Sequence, residues 1–467
     1  MARGGVIQIV WCGMQSVLKR WTLIVLVSSA IVAGAGQASA ESLVEAMVSA
    51  YTSNPTLKGE RARQRGTDEQ VPQALSGWRP TVSAEGSIGE NWSDTNTGPS
   101  SELTPKTVSI GLSQPIFRGF KTINGTKAAE ANVEAGRQGL LAIEQDILFQ
   151  ATQAYMNVIR DRQIVALRQK NVGVLQKQLD ASDERFKVGE ITKTDVAQSR
   201  ARVSEAQSAV ASAKATLAAS VANYIKVVGH QPGGLKYPKL AKLPKTLEAA
   251  QAAAEEINPN ILSAAHVEEA ANYNTEVAKG DLLPSLNLSA SASVTDDPSE
   301  TADTLGQAKV EGVLTIPLYE AGRVYSTVRE AKHVASQRRM EVIQAGRAVR
   351  ESVSISWNNL SAARETIRSA KQQVSAAELA LDGVRQEYFV GSRTTLDVLD
   401  ADSEVVNARI TLVSAERDQI VAAYQILGSI GRLTARDLSL PVEYYDPEEN
   451  YLNVRGKWIG TGADTIE

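Results

Sequence analysis

The sequence has a single cysteine in 467 residues, only 5% aromatic residues, and, beyond its N-terminal segment, no apolar stretch near the roughly 20 residues of a membrane-spanning helix. Each scarcity excludes something. Cys12 follows Ile9, Val10 and Trp11, far from any small-residue lipidation site, so neither a disulfide nor an acyl anchor is expected. Few aromatics leave little bulk for large globular cores, and membrane passage is left to β-strands. Basic charge is also short: 49 Lys and Arg against 53 Asp and Glu give a formal charge of -4, which argues against nucleic acid as a partner. His230, His266 and His333 are scattered, with no second ligand at metal spacing. With no nucleophile elbow, phosphate loop or catalytic cysteine, neither an enzyme nor a cofactor is expected.

What is present begins with a secretory signal over residues 1–40. Lys19 and Arg20 precede an apolar run from Leu23 to Ala33, and Ala38, Ser39 and Ala40 form an A-x-A cleavage site, with translation starting at Met1 or Met14. No proline occurs between Pro115 and Pro232 or between Pro317 and Pro441, in stretches rich in Ala, Gln, Glu, Arg, Val and Leu, so both are long helices. Ala151, Val158, Val165, Val172, Leu179 and Phe186 recur every seven residues. Val196, Val203, Val210, Leu217 and Tyr224 resume that spacing after a break, which means coiled-coil packing. Adding 202 reproduces the stripe from Val353 to Tyr388 and from Val398 to Ile426, with Gln419 its one clearly polar member. The chain is an internal duplication.

In each half the apolar period drops to two. Val82, Ala84, Gly86 and Ile88, then Val108, Ile110 and Leu112, alternate with polar residues; Leu286 to Val294 and Val310 to Ile316 repeat the pattern. These are strands of one apolar and one polar face, at a length suited to a tilted membrane crossing. The connections Ser93–Lys106 and Asp296–Gly306 read as long outer loops. A soluble β-layer packed on helices is the competing reading. Four strands cannot close a barrel, and an open edge in lipid leaves unpaired backbone groups, so insertion requires oligomers; three copies give twelve strands and a lumen.

The expected organisation is a first repeat over 41–246, with strands near 81–92 and 107–117 and helices near 55–78, 120–188 and 194–229. A second repeat over 247–440 has strands near 285–295 and 307–318 and helices near 259–280, 322–390 and 396–431. A helix of nearly 70 residues is roughly 100 Å long, twice its returning partner. The segments opened by Asn54-Pro55 and Asn258-Pro259, each with an N-cap and N1 proline, have the length to stack end to end on that shorter helix. Gln231–Pro244 reads as a linker belt, and the tail 441–467 as an outer wrapping or a partly disordered end. The fold class is mainly α: long coiled-coil hairpins forming an α-barrel, continued by a β-barrel.

Phe186-Lys-Val-Gly189 with Thr192 and Asp195-Val196, together with Tyr388-Phe-Val-Gly391 with Thr394, Asp397-Val-Leu399 and Asp400-Ala401, resemble the paired tip motifs of TolC-type outer-membrane export ducts. The Asn-Pro pairs, Gln114-Pro-Ile-Phe117 and Ile316-Pro-Leu-Tyr319 agree, from about Glu41 to Leu433. The resemblance implies a homotrimer in outer-membrane lipid that reaches into the periplasm and exports drugs or proteins. It would be opened by an inner-membrane pump of ABC or RND type through a periplasmic adaptor. It also implies a periplasmic gate at Thr194, Asp195, Tyr388 and Arg393, with an Arg393–Asp195 pair among its links. An acidic constriction would lie at Asp397 and Asp400, and adaptor-docking tips at Val188, Gly189, Val390 and Gly391.

Read without the family, the same tips are helix stops at Gly189 and Gly391 and capping boxes at Thr192/Asp195 and Thr394/Asp397. That account leaves Asp400 unexplained. Phe117, Phe120 and Tyr319 fall where strands become helices, suiting either an aromatic girdle or junction cores. A soluble periplasmic coiled-coil adaptor or scaffold is the alternative function.

Overall fold

The computed structural model describes residues 40–463 apart from 95, 97–99 and 300. The expected signal, Cys12 included, lies outside the described residues but for Ala40.

Two long helical hairpins dominate. Helix α4 (Lys121–Lys187) turns back into α5 (Lys193–Val228), and α8 (Arg323–Phe389) into α9 (Thr395–Ile430). The seven-residue stripe accounts for their pairing: Ala151, Val158, Val165, Leu179, Val196, Val203 and Tyr224 are buried, as are Val353, Leu360, Leu381, Val398, Val405 and Ile426. Phe186, at the far end, is left exposed.

Short helices fill the upper part, where the returning helices stop. These are α1 (Leu43–Ser53), α2 (Pro55–Asp68) and α3 (Gln70–Leu75) in the first repeat, and α6 (Leu247–Ile257) and α7 (Pro259–Lys279) in the second. The helix expected over 55–78 is broken at Glu69, three residues before Pro72, and ends in a 3-10 turn at Ser76–Trp78. A proline has no N–H to continue the ladder. The Asn-Pro motifs do more than start a helix. Asn54 Oδ1 accepts from Thr56 N–H at 2.9 Å while its Nδ2 donates to the Val227 carbonyl at 3.0 Å. Asn258 repeats this with Asn260 N–H at 2.9 Å and the Ser429 carbonyl at 2.8 Å. One buried amide thus caps the end of one helix and the start of the next, holding them end to end.

The core lies at this belt. Leu43, Met47, Leu148, Tyr155, Met156, Tyr224, Val228, Leu433 and Leu440 form one cluster, and the 231–244 linker crosses it. Tyr155 Oη lies 2.8 and 2.6 Å from the Glu41 and Lys236 carbonyls, which share its one donor proton. A short parallel bridge between Glu41 and Leu235 ties the linker down, and this buried hydroxyl supplies a further anchor.

The strands form one antiparallel sheet in the order β1 (Thr81–Ile88), β4 (Lys106–Arg118), β5 (Ser285–Ser299), β6 (Ala302–Thr315), so the halves meet at β4–β5. Between β1 and β4 lies a separate small hairpin, β2 (Asn91–Ser93) with β3 (Ser101–Leu103). The outer loop expected at Asp296–Gly306 is instead mostly strand: β5 runs to Ser299 and β6 begins at Ala302. Backbone pairing is indifferent to the polar side chains there, so the ladder continues past the apolar band. In the first repeat Pro105, lacking a donor, interrupts the ladder and leaves β2–β3 apart.

Register sorts the faces. Val82–Leu112–Ala290–Val310, Ala84–Ile110–Ala292–Ala308 and Gly86–Val108–Val294–Gly306 run across the sheet on one side. Ser83–Gly111–Ser291–Lys309 and Glu85–Ser109–Ser293–Gln307 run on the other. The apolar side is solvent-exposed: Val82, Val108, Ile110, Val294 and Val310 are each more than half accessible. At its helical end the sheet turns tightly. Gly119, at φ 58°, brings its backbone so close to the Gly280 carbonyl that a Cβ would collide with it.

Candidate functional site

The tips of the two helical hairpins are built alike. Each long helix ends in a glycine at φ 81°, Gly189 or Gly391, a conformation that disfavours any side chain. The following residue closes the turn: Glu190 N–H bonds the Arg185 carbonyl and Ser392 N–H the Glu387 carbonyl, both at 2.9 Å. Returning helices start at capping boxes. Asp195 Oδ2 accepts from Thr192 N–H at 2.9 Å, and Asp397 Oδ2 from Thr394 N–H at 2.8 Å. The Thr394 backbone and hydroxyl bonds hold the Asp397 carboxyl below the usual carboxylate range.

Val188, Val390 and Phe389 stand exposed at the turns, an apolar end that the hairpins do not cover themselves. Thr194 is also exposed. The Arg393–Asp195 pair expected from the resemblance is absent within the chain. Arg393 Nε binds Glu387 Oε2 at 2.7 Å, and Asp195 is engaged by Thr192. Both are local partners within one turn, and so nearer than anything on the other hairpin.

The hairpins are instead joined through two residues that motif reasoning missed, Arg202 and Arg185, meeting side chains that it named. Arg202 Nη2 of α5 donates to Asp400 Oδ1 of α9 at 2.6 Å, and the Arg185 guanidinium lies 4.9 Å from the centre of the Tyr388 ring. Leu399, fully buried, inserts among Leu175, Leu179, Val196 and Val203 of the first hairpin. The Tyr388 hydroxyl is 3.3 Å from Thr395 Oγ1. Of the expected gate and constriction residues, then, Tyr388 and Asp400 reach across to the other hairpin, whereas Asp195, Arg393 and Asp397 bond within their own turns.

Inside each hairpin the duplication has exchanged charge. Asp183 and Arg200 lie 4.0 Å apart in the first, and their counterparts 202 residues on are Arg385 and Asp402, bonded at 2.9 Å. Burial pushes the Asp402 carboxyl up against the pull of Arg385. The swap was available in the sequence through the repeat offset.

Comparison with known proteins covers both repeats. The model of the family described as outer membrane efflux protein matches residues 46–230 and 250–432, the two repeats. The outer membrane efflux protein BepC of Brucella suis is 40% identical over 93% of this chain and 95% of its own. The outer membrane protein TolC of Escherichia coli is 28% identical over 85% and 84%. The crystal structure of the Campylobacter jejuni outer membrane channel CmeC superposes with a TM-score of 0.75 at 16% identity, covering 89% of each chain. These findings set aside the soluble scaffold: the chain belongs to the outer membrane efflux protein family, the TolC-type ducts, as an export channel of the outer membrane that extends into the periplasm.

Proposed function

We propose that three copies of this chain close their sheets into a twelve-stranded barrel and their hairpins into one continuous periplasmic cylinder. An adaptor seated on the hairpin tips opens it for an inner-membrane pump of ABC or RND type. The observation that carries this reading is the pair of free sheet edges, β1 and β6, on a sheet whose apolar face is exposed. In lipid such edges need a partner strand, and another copy of the chain supplies the complementary one. Helix α8 supports it: Tyr325, Met340, Ile343 and Ile355 are exposed along a helix whose counterpart α4 is buried on several sides.

At the tips, Thr194, Asp195, Tyr388 and Arg393 make up the resting gate, and Asp397 and Asp400 the acidic ring of the constriction. Val188, Gly189, Val390 and Gly391 form the docking surface, apolar knobs fit for the seam of an adaptor coiled coil. Exposed ion pairs are each worth about 1 kcal/mol or less, so links of this kind can be undone by a docking partner. Crosslinking through a photoreactive residue at Val188 or Val390 in cells tests the partner assignment. Capture of a periplasmic coiled-coil protein is expected; labelling of lipid or of no protein contradicts it.

A further inference from the structure

The tail beyond the family-matched region follows a definite path. Tyr445 N–H donates to Tyr51 Oη at 3.0 Å, and its ring receives Arg61 at 5.1 Å. Helix α10 (Pro447–Arg455) then lies along α2 and α4: Asn450 Nδ2 donates to Asp68 Oδ2 at 2.7 Å, and Arg455 pairs with Glu130 at 3.0 Å. Next, the Lys457 carbonyl accepts from Arg79 Nη1 at 2.8 Å, and the Arg79 guanidinium lies 4.8 Å from the Trp458 ring centre. The partners thus climb from the belt, through residues 51, 61 and 68, to residue 79. Arg79 stands two residues before β1.

Trp458 therefore sits at the level where helix gives way to strand, just below the apolar rows that open with Val82. It is 66% exposed and Ile459 91% exposed, and Trp78, the residue before Arg79, is exposed as well. A chain gains nothing in water from carrying its two largest late apolar side chains to this height on a strap of ion pairs and then leaving them uncovered. At a bilayer boundary the same pair is suited: an indole settles among headgroups and an aliphatic side chain reaches the first methylenes.

We propose that the 456–460 segment is an interfacial anchor, inserting Trp458 and Ile459 into the periplasmic leaflet of the outer membrane. The occupant is phospholipid, argued from continuity with the lipid-facing rows of the sheet; a neighbouring copy covering the same residues is the competing outcome. The inference rests on the reading of the sheet as a membrane barrel.

The test is depth-resolved quenching on the exported, mature protein in nanodiscs, which carries no cysteine once the segment holding Cys12 is removed. Single substitutions Val82→Cys, Val310→Cys, Ser83→Cys and Ile459→Cys carry a fluorescent label, and the lipids carry nitroxides either at the headgroup or mid-chain. Labels at 82 and 310 should be quenched by mid-chain nitroxide and the label at 83 spared. The label at 459 should lose at least twofold more signal to headgroup than to mid-chain nitroxide. If 82 and 310 are quenched and 459 is spared by both probes, the anchor is wrong and the barrel stands. If 82 and 310 are also spared, the barrel reading itself falls. Intrinsic fluorescence of Trp458→Phe provides a label-free check: the emission it removes should be quenchable by brominated phospholipid, and unquenchable emission would place Trp458 against protein.

Discussion

Arg202 and Asp400 meet at 2.6 Å across the two hairpins of one chain, so the carboxylate assigned to the constriction is charge-compensated before any other copy is considered. A ring of such pairs attracts cations less than a ring of bare carboxylates does. Arg202→Gln should raise both the cation preference and, severalfold at most, the resting conductance in planar-bilayer recordings. The limit follows from an exposed pair being worth about 1 kcal/mol or less. Unchanged selectivity would remove Asp400 from the pore lining.

Replacing Asp397 and Asp400 together by Ala should lower cation preference. Because Asp397 also closes the α9 capping box, the doubly substituted channel should in addition exchange the amides of 395–398 faster. Loss of selectivity without faster exchange would separate the two roles; neither effect would contradict both assignments.

Asn54→Ala or Asn258→Ala removes two caps at once. Each should cost about 1–2 kcal/mol, and the double substitution close to the sum, as the sites sit in different stacks. Asn→Asp at either site keeps the N-cap acceptor but sets a carboxylate against the Val227 or Ser429 carbonyl, and so should not rescue. Thermal unfolding checks this; an unchanged midpoint for the alanine variants would contradict the dual-cap role.

Glu144 is buried and accepts the Ala435 N–H at 2.7 Å; burial, the larger influence, pushes its carboxyl above the usual range. A carboxyl raised in the folded state binds its proton more tightly there than when unfolded, so its contribution to stability grows as pH falls through the folded value and levels off below the unfolded one. The unfolding midpoint of the natural chain relative to Glu144→Gln should therefore rise between neutral and mildly acid pH. A difference constant with pH would mean that Glu144 is not desolvated.

The duplication, the seven-residue stripe and the period-two strands were legible because each is a repeated local rule that the structure obeys along most of its length, Phe186 at the hairpin end being an exception. The fracture at Glu69 was legible in principle from Pro72. Strand length was not, since hydrogen bonding carried β5 through Asp296 to Ser299 where side-chain chemistry reads as loop. At the tips, the glycine stops and capping boxes were readable as short-range motifs. The Arg202–Asp400 link was not: its partners are 198 residues apart, four short of the offset, and their counterparts Glu404 and Gln198 form no equivalent pair. Contacts between repeats depend on how two coiled coils rotate against each other, which no single stripe determines.

The central claim is that β1 of one copy meets β6 of the next. Disulfide scanning in native membranes tests it directly, with one cysteine placed along β1 at 82–88 and another along β6 at 304–312 of the exported chain, which has no other cysteine once the signal is removed. Covalent species of two and three chains, with alternate positions reactive as the pleat demands, are the expected result. Links formed only within a single chain, or none at any register, would contradict the account.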